Sequence, residues 1–338
     1  MKAIGYQASL PISHADALQD IEIEKPQPTG RDLLVEIKAI SVNPVDCKVR
    51  MRAEPAPGEY KVLGWDAVGI VQAVGEQVSL FKPGDAVWYA GDITRQGSNA
   101  EFQLVDERLV GHKPASISDA EAAALPLTSI TAWELLFERL QLKSPSHKGS
   151  KVLLIVGAAG GVGSIMTQLA AQLPDVVVIG TASRPESRDW VLALGADYVI
   201  DHRQPLSEEL ARIGIKDVTH VASLTHTEQH FTELVKVLRP QGKLALIDDP
   251  AEPLDIMLLK GKSISLHWES MFTRSLFTTD DMIEQHSILD EVSRMIDAGT
   301  LKTTLGKHFG RISAQNLRIA HQHVESNTSV GKAVLETF

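Results

Sequence analysis

The chain has 338 residues, of which 43% are hydrophobic and 22% charged, and its formal net charge is −10. That length exceeds one small core and argues for two domains. The acidic balance repels a phosphate backbone, so nucleic acid is not an expected partner. The apolar runs have strand or helix length, so no membrane span is expected. The single cysteine, Cys47, can form neither an intrachain disulfide nor a cysteine cage for zinc. A cytoplasmic location is the matching expectation.

The first residues, 1–6, alternate and predict a first strand rather than a signal peptide. Residues 33–40 and 69–75 predict two more strands, and a turn at Pro83-Gly84 feeds another at 86–90. Proline and glycine punctuate this stretch up to Leu125, as in a small barrel-like β domain. The pattern changes near Ala122. Residues 130–140 have a helical period, and a polar loop follows at 143–149.

Residues 151–156 then form a continuous apolar run, as expected of a parallel strand buried on both faces. Predicted elements alternate after it: helix 164–173, strand 176–180, helix 186–194, strand 198–200, strand 218–222, helix 229–238, strand 243–247 and strand 263–267. Such alternation predicts an α/β domain built on a doubly wound parallel sheet. In the tail, a helix is predicted over 281–298 and a strand over 332–335, returning to the first domain.

The strongest chemical signal is the run Gly157-Ala158-Ala159-Gly160-Gly161-Val162-Gly163, between a buried strand and a helix. Glycines there allow a tight turn and let a pyrophosphate approach main-chain amides. Ala158 occupies the first fingerprint position, with Gly160 and Gly163 in the other two, so a slightly wider turn is expected. At the end of the second parallel strand an acid would select NAD. Instead the chain reads Gly180-Thr181-Ala182-Ser183-Arg184, and Arg184 with Ser183 suits a 2′-phosphate. The expected cofactor is therefore NADPH. Thr181, Arg188 and His202 join these as cofactor-side candidates, as do Ser223, Leu224 and Thr225 at a later strand end.

Asn43-Pro44-Val45-Asp46, residues 64–69, residues 97–102, residues 124–132, the glycine turn and residues 238–242 together resemble the medium-chain dehydrogenase/reductase superfamily, in its quinone oxidoreductase branch. More narrowly, the chain resembles proteins labelled zinc-type alcohol dehydrogenase-like. The resemblance covers essentially the whole length. It implies a mainly-β GroES-like catalytic domain from residues 1–127 and 268–338, and a Rossmann domain from 128–267. A homodimer through an exposed sheet edge of the Rossmann domain is implied as well.

Zinc members of the superfamily hold the metal with an early Cys and a Gly-His-Glu motif. The resemblance puts Asn43 where that Cys would stand, and Trp65 and Asp66 where the His and Glu would stand. Amide and indole do not replace thiolate and imidazole as zinc ligands. No metal is therefore expected, and the implied activity is reduction of a quinone or an α,β-unsaturated carbonyl. Asn43 is the first candidate to donate to a substrate oxygen or a cofactor group, with a loop cap as its plainer role. Asp46 is read as a loop anchor, Trp65 as an apolar wall, Tyr89 as a proton donor or a packed strand residue, and Thr128 as a nicotinamide contact. The pairs His226/His230 and His321/His323 read as solvated helix faces, and Cys47 shows no base beside it in the sequence. Two other readings stay open: a nucleotide-binding sensor with little turnover, and a zinc alcohol dehydrogenase.

Overall fold

Alternating and continuous apolar segments become two different sheets in the computed structural model, which describes residues 1–144 and 151–338. The polar loop read at 143–149 lies, from 145 on, outside the described residues. The chain divides into two units, one formed by Met1–Ile130 with Phe272–Phe338 and the other by Thr131–Met271. No helix among the described residues is long and apolar enough to cross a membrane.

The first unit opens with strands β1 (Lys2–Tyr6), β2 (Gln19–Glu22), β3 (Asp32–Val42), β4 (Lys61–Val62), β5 (Ala67–Val74), β6 (Ala86–Tyr89), β7 (Phe102–Asp106) and β8 (Val110–His112). Helix α1 (Pro44–Arg52) follows β3, and α2 (Asp119–Ala123) and α3 (Pro126–Trp133) close this stretch. Helix α1 starts where the sequence provides Asn43 as cap, Pro44 in the first turn and Asp46 three residues after the cap. Helix α2 starts on Ser118, whose hydroxyl accepts from the Glu121 amide at 3.2 Å while the Glu121 carboxylate accepts from the Ser118 amide at 2.9 Å. The helical pattern read at 130–140 is α3 running on into a π-helical segment, Glu134–Arg139.

The second unit contains β9 (Lys151–Val156), β10 (Val176–Thr181), β11 (Tyr198–Ile200), β12 (Val218–Ser223), β13 (Leu238–Leu246) and β14 (Ser265–Trp268). Helices α4 (Gly161–Ala171), α5 (Pro185–Ala193), α6 (Leu206–Arg212), α7 (Thr227–Val237) and α8 (Met257–Lys260) connect them. All pairings are parallel, in the order β11-β10-β9-β12-β13-β14. This is the Rossmann order, and the strand order reverses between β9 and β12. Leu153, Leu154 and Ile155 are fully buried, as a strand covered on both faces requires. Strand β13 begins at Leu238, five residues before the predicted start. Arg239, Pro240 and Gln241 are polar or imide-forming residues that hid its first half from an apolar-run reading.

The tail returns to the first unit through α9 (Thr273–Phe277), α10 (Glu284–Asp297), β15 (Leu305–His308), α11 (Ala314–Glu325) and β16 (Lys332–Glu336). Strand β16 pairs antiparallel with β3, matching Ala333 to Val42 and Leu335 to Ile40. The resulting sheet runs β15-β16-β3-β5-β6-β8, with β7 also on β3.

Leu154 sits in the apolar cluster of the second unit with Ile179, Val221, Phe231 and Leu244. Leu154→Ala is expected to lower stability by about 2–5 kcal/mol, read from denaturant unfolding. A loss below about 1 kcal/mol would contradict the close packing described.

Candidate functional site

The glycine turn follows directly from β9. Gly157 has φ +83°, and a Cβ there would lie 2.9 Å from the Thr225 methyl group. The position therefore demands glycine on two counts. A Cβ on Gly163 would come within 2.5 Å of the Ala158 Cα and of the Gly157 carbonyl oxygen. Helix α4 thus approaches the turn as closely as backbone allows. Its cap, Gly160, is extended and carries no side chain, so no residue of the helix caps the first-turn amides. First-turn amides of a helix have no intrahelical acceptor, and with the helix dipole they suit an anion such as a diphosphate. Gly161 and Val162 supply the first of them.

A wider turn was expected at Ala158, and the structure shows where its methyl group goes. Ala158 is fully buried, and a Cβ on Gly180 of β10 would lie 2.8 Å from the Ala158 Cβ. The methyl group of Ala158 is accommodated by a missing side chain on the neighbouring strand. Thr181 is also turned inward: its hydroxyl oxygen accepts from the Gly157 amide at 3.0 Å and ties the turn to β10. Arg188, expected on the cofactor side, donates to the carbonyls of Ala182 (3.4 Å) and Val199 (3.1 Å) and so braces the strand ends. Ser183 is half-buried and Arg184 exposed, at the start of α5.

A guanidinium missed by the sequence reading stands beside them. Arg203 donates to the Ser183 carbonyl at 3.2 Å and is held by Asp201 at 2.6 Å. His202 precedes it, half-buried. On the other side of the switch point, Ser223 is fully buried and shares a 2.8 Å hydrogen bond with Thr227. Thr227 is in turn held by Asp248. The Leu224 amide donates to the Val156 carbonyl at 3.1 Å. Of this trio, Leu224 and Thr225 remain partly accessible and Ser223 does not.

In the first unit, Asn43 and Asp66 belong to one buried network whose third member, Lys332, went unread. The Asp66 carboxylate is completely buried. Its Oδ2 accepts from Ser41 Oγ (2.7 Å), Asn43 Nδ2 (2.8 Å) and Lys332 Nζ (3.1 Å). Its Oδ1 accepts from the Leu127 amide at 2.7 Å, in the first turn of α3. Lys332 also donates to the Val42 carbonyl at 3.2 Å and to Asn43 Oδ1. Asn43 Nδ2 donates in addition to the Trp65 carbonyl at 3.2 Å. Both amide hydrogens and the oxygen of Asn43 are thereby engaged. Asn43 is 1% exposed, so the expected donation to a substrate oxygen finds both its amide hydrogens already used inside this network.

These residues do not suit zinc. A metal would need lone pairs where Asn43 presents N–H groups and where the ammonium of Lys332 already neutralises Asp66. Among the described residues, no group of three or more His, Cys, Asp and Glu is placed to hold a metal ion. Trp65 is fully buried, donates to the Asp92 carbonyl at 3.3 Å and meets Phe272 edge to face. Tyr89 is fully buried in β6, and burial pushes its phenol well above the usual range, which suits packing rather than proton donation. Thr128 is buried, with its hydroxyl on the Leu125 carbonyl at 3.1 Å.

Asp46 caps α1, its Oδ2 accepting from the Asn43 amide at 2.8 Å. Burial raises its pKa to about 7, against the lowering effects of that amide and of Lys332. Cys47, read as having no base nearby, lies 3.4 Å from Nδ1 of His321. His321 is fully buried rather than on a solvated face. Burial pushes the thiol up and pulls the imidazole down to about 3, so the pair stays neutral and is no thiolate nucleophile.

The chain matches two family models, "Alcohol dehydrogenase GroES-like domain" over residues 29–116 and "Zinc-binding dehydrogenase" over 194–335. It is 40% identical over 337 residues to a zinc-type alcohol dehydrogenase-like protein of Staphylococcus aureus, covering 99% of both chains. A crystal structure described as a putative zinc-dependent alcohol dehydrogenase protein from Rhizobium etli is 54% identical, with a TM-score of 0.97 over 100% of this chain and 98% of that one. Quinone oxidoreductase of Escherichia coli, solved with NADPH, is 26% identical, with a TM-score of 0.83 over 99% of this chain and 100% of that one.

Two outcomes test the buried network. Lys332→Met leaves Asp66 unpaired and is expected to cost about 3–5 kcal/mol in denaturant unfolding, with Asp66→Asn in the same chain recovering much of it. The second concerns Asp46, whose proton is held more tightly in the folded chain than in the unfolded one. Stability from this group is present below pH 3.8 and is lost as pH rises toward about 7. The stability of Asp46→Asn relative to the parent should therefore climb by up to about 1.4 kcal/mol per pH unit across that window and level off above it. A difference that does not change with pH would show that Asp46 ionises normally.

Proposed function

The chain belongs to the medium-chain dehydrogenase/reductase superfamily, and on that premise we propose that it is an NADPH-dependent reductase of quinones or α,β-unsaturated carbonyls that works without zinc. The observation that carries this reading is the Asn43–Asp66–Lys332 network. Its ammonium fulfils for Asp66 the charge balance that a divalent metal would otherwise provide. Oxidising an alcohol calls for a Lewis acid or a general base to remove its hydroxyl proton. A quinone or enone has a low-lying empty orbital and accepts a hydride without one.

When bound, the reduced nicotinamide supplies the hydride; solvent or a protein group supplies the proton that completes the reduction. The chain's own contribution is to bind and orient. The uncapped start of α4 meets the diphosphate, and Gly157 and Gly163 let it come close. Ser183, Arg184 and Arg203 form a polar, cationic border at the end of β10, where an NAD site would carry an acid. This supports NADPH over NADH. The NADPH complex of the Escherichia coli relative is consistent with it.

We also propose a homodimer through β14. That strand is an edge of the parallel sheet, and Ile256, Met257 and Trp268 of the same unit are 59%, 63% and 55% exposed. Sedimentation at micromolar concentration checks this; a monomer would refute it. One cysteine in 338 residues suits a reducing compartment such as the cytoplasm.

The test of the main proposal is NADPH oxidation, followed by absorbance, with a panel of quinones and enals and with simple alcohols plus NADP⁺ as the opposing arm. Turnover with the panel and none with alcohols is expected. Tight NADPH binding without turnover would favour a sensor, and alcohol oxidation would favour a zinc enzyme.

A further inference from the structure

Three imidazoles of the parallel-sheet unit gather near the end of β10 and were not absorbed by the fold. His202 follows β11, His226 caps α7, and His230 lies one turn further along that helix. The His202 and His230 rings meet edge to face, with centroids 6.1 Å apart. Nδ1 of His202 is buried and has no hydrogen-bond partner. His226 Nδ1 is 2.7 Å from Thr225 Oγ1, and the Thr225 methyl packs on Gly157 at the start of the phosphate turn. His202 is anchored on the opposite flank. The Ala182 amide donates to the Ile200 carbonyl at 3.0 Å, and Arg203 reaches the Ser183 carbonyl. The cluster thus adjoins both the glycine turn and the Ser183–Arg184 corner.

The charges that face it are mixed. Asp201 and Arg203 flank His202 and pair with each other at 2.6 Å, and the Asp201 amide donates to Glu209 at 2.9 Å. Glu228 lies beside His230 on α7, and Arg184 stands at the start of α5. Burial lowers the pKa of His202, helped by Arg203 and His226 and opposed by Asp201. Burial also lowers His230, helped by His202 and His226. With no ligand bound, neutral His202 and His230 avoid repelling each other, and His202 avoids repelling Arg203.

Resting on the NADPH reading, we propose that His202 and His230 are specificity-determining residues: the imidazole cluster takes up a proton when a ribose 2′-phosphate binds beside it. A phosphate monoester brings most of two negative charges to a corner that holds Arg184 and Arg203. The added field makes the protonated imidazole favourable and gives it an N–H to donate. Binding and protonation are then linked. Affinity for the 2′-phosphate is highest below the free histidines' titration and falls as pH rises through the bound-state value. A ligand without that phosphate gains nothing from the proton.

Isothermal titration at pH 7 in buffers of different ionisation enthalpy measures the proton count directly. The probes are 2′,5′-ADP and 5′-AMP, with the full chain and with His202→Gln, His230→Gln and the double variant. The parent is expected to take up more protons with 2′,5′-ADP than the double variant does. Its Kd for 2′,5′-ADP should weaken by up to about tenfold per pH unit across the titration, with a flatter profile in the variants. Binding of 5′-AMP should keep the same pH profile in all four proteins, which also reports that the variants fold. Equal proton uptake in parent and double variant overturns the inference and leaves the cofactor reading standing. Absence of binding by 2′,5′-ADP, NADPH and NADH at every pH overturns the cofactor reading and this inference with it.

Discussion

A carboxylate and an ammonium meet at 3.1 Å in the first unit, with side chains 0% and 4% exposed, and much of that unit's local architecture depends on their pairing. Either charge left alone at such depth would be costly, so the two stay together or the region rearranges. Asp66 lies just before β5 and Lys332 opens β16, so the pair ties the returning tail to the early sheet. The remaining lone pairs of Asp66 reach Ser41 and Asn43 at the end of β3 and the Leu127 amide at the start of α3. A negative group at that helix start also opposes the helix dipole favourably. One carboxylate therefore sets where α3 begins, and through Asn43 it bears on where α1 begins. The Lys332 ammonium completes this set of bonds.

The second unit depends on missing atoms rather than on charge. Gly157, Gly163 and Gly180 each stand where a methyl group would collide with a neighbour. Their absence lets β9, β10 and α4 come together so that the start of α4 faces solvent without a side-chain cap. Thr181 and Arg188, which look like ligand contacts when read along the chain, are used to hold that geometry. What remains outward at this edge is Ser183, Arg184, Arg203 and the half-buried histidines.

The parallel sheet was legible because its strands are short continuous apolar runs bounded by glycine, and the turn was legible because its spacing is chemical. Residues 151–156 and 198–200 match their predicted bounds, since Lys151 and Ile200 sit at abrupt changes of polarity. Helices α6 and α11 escaped: their amphipathic faces include Ser207, His321 and His323, which blur the apolar stripe. The network around Asp66 was half legible. Local motifs pointed to Asn43 and Asp66, but Lys332 lies 266 positions away from Asp66, and a lone lysine before an apolar strand carries no mark of burial. The same distance problem hid the contact of Cys47 with His321, 274 positions on. Arg203 and the ring contact between His202 and His230 were hidden by folding of a different kind, the side-by-side packing of α6 and α7 and the adjacency of β10 and β11.

If an amide, a carboxylate and a lysine complete this site among themselves, the protein has no use for a metal there. Elemental analysis of the chain, purified without chelator from zinc-supplemented cells and normalised to protein, addresses that most directly. The account predicts only trace zinc in protein that still binds NADPH. Zinc at one equivalent per chain, released together with activity, would contradict it.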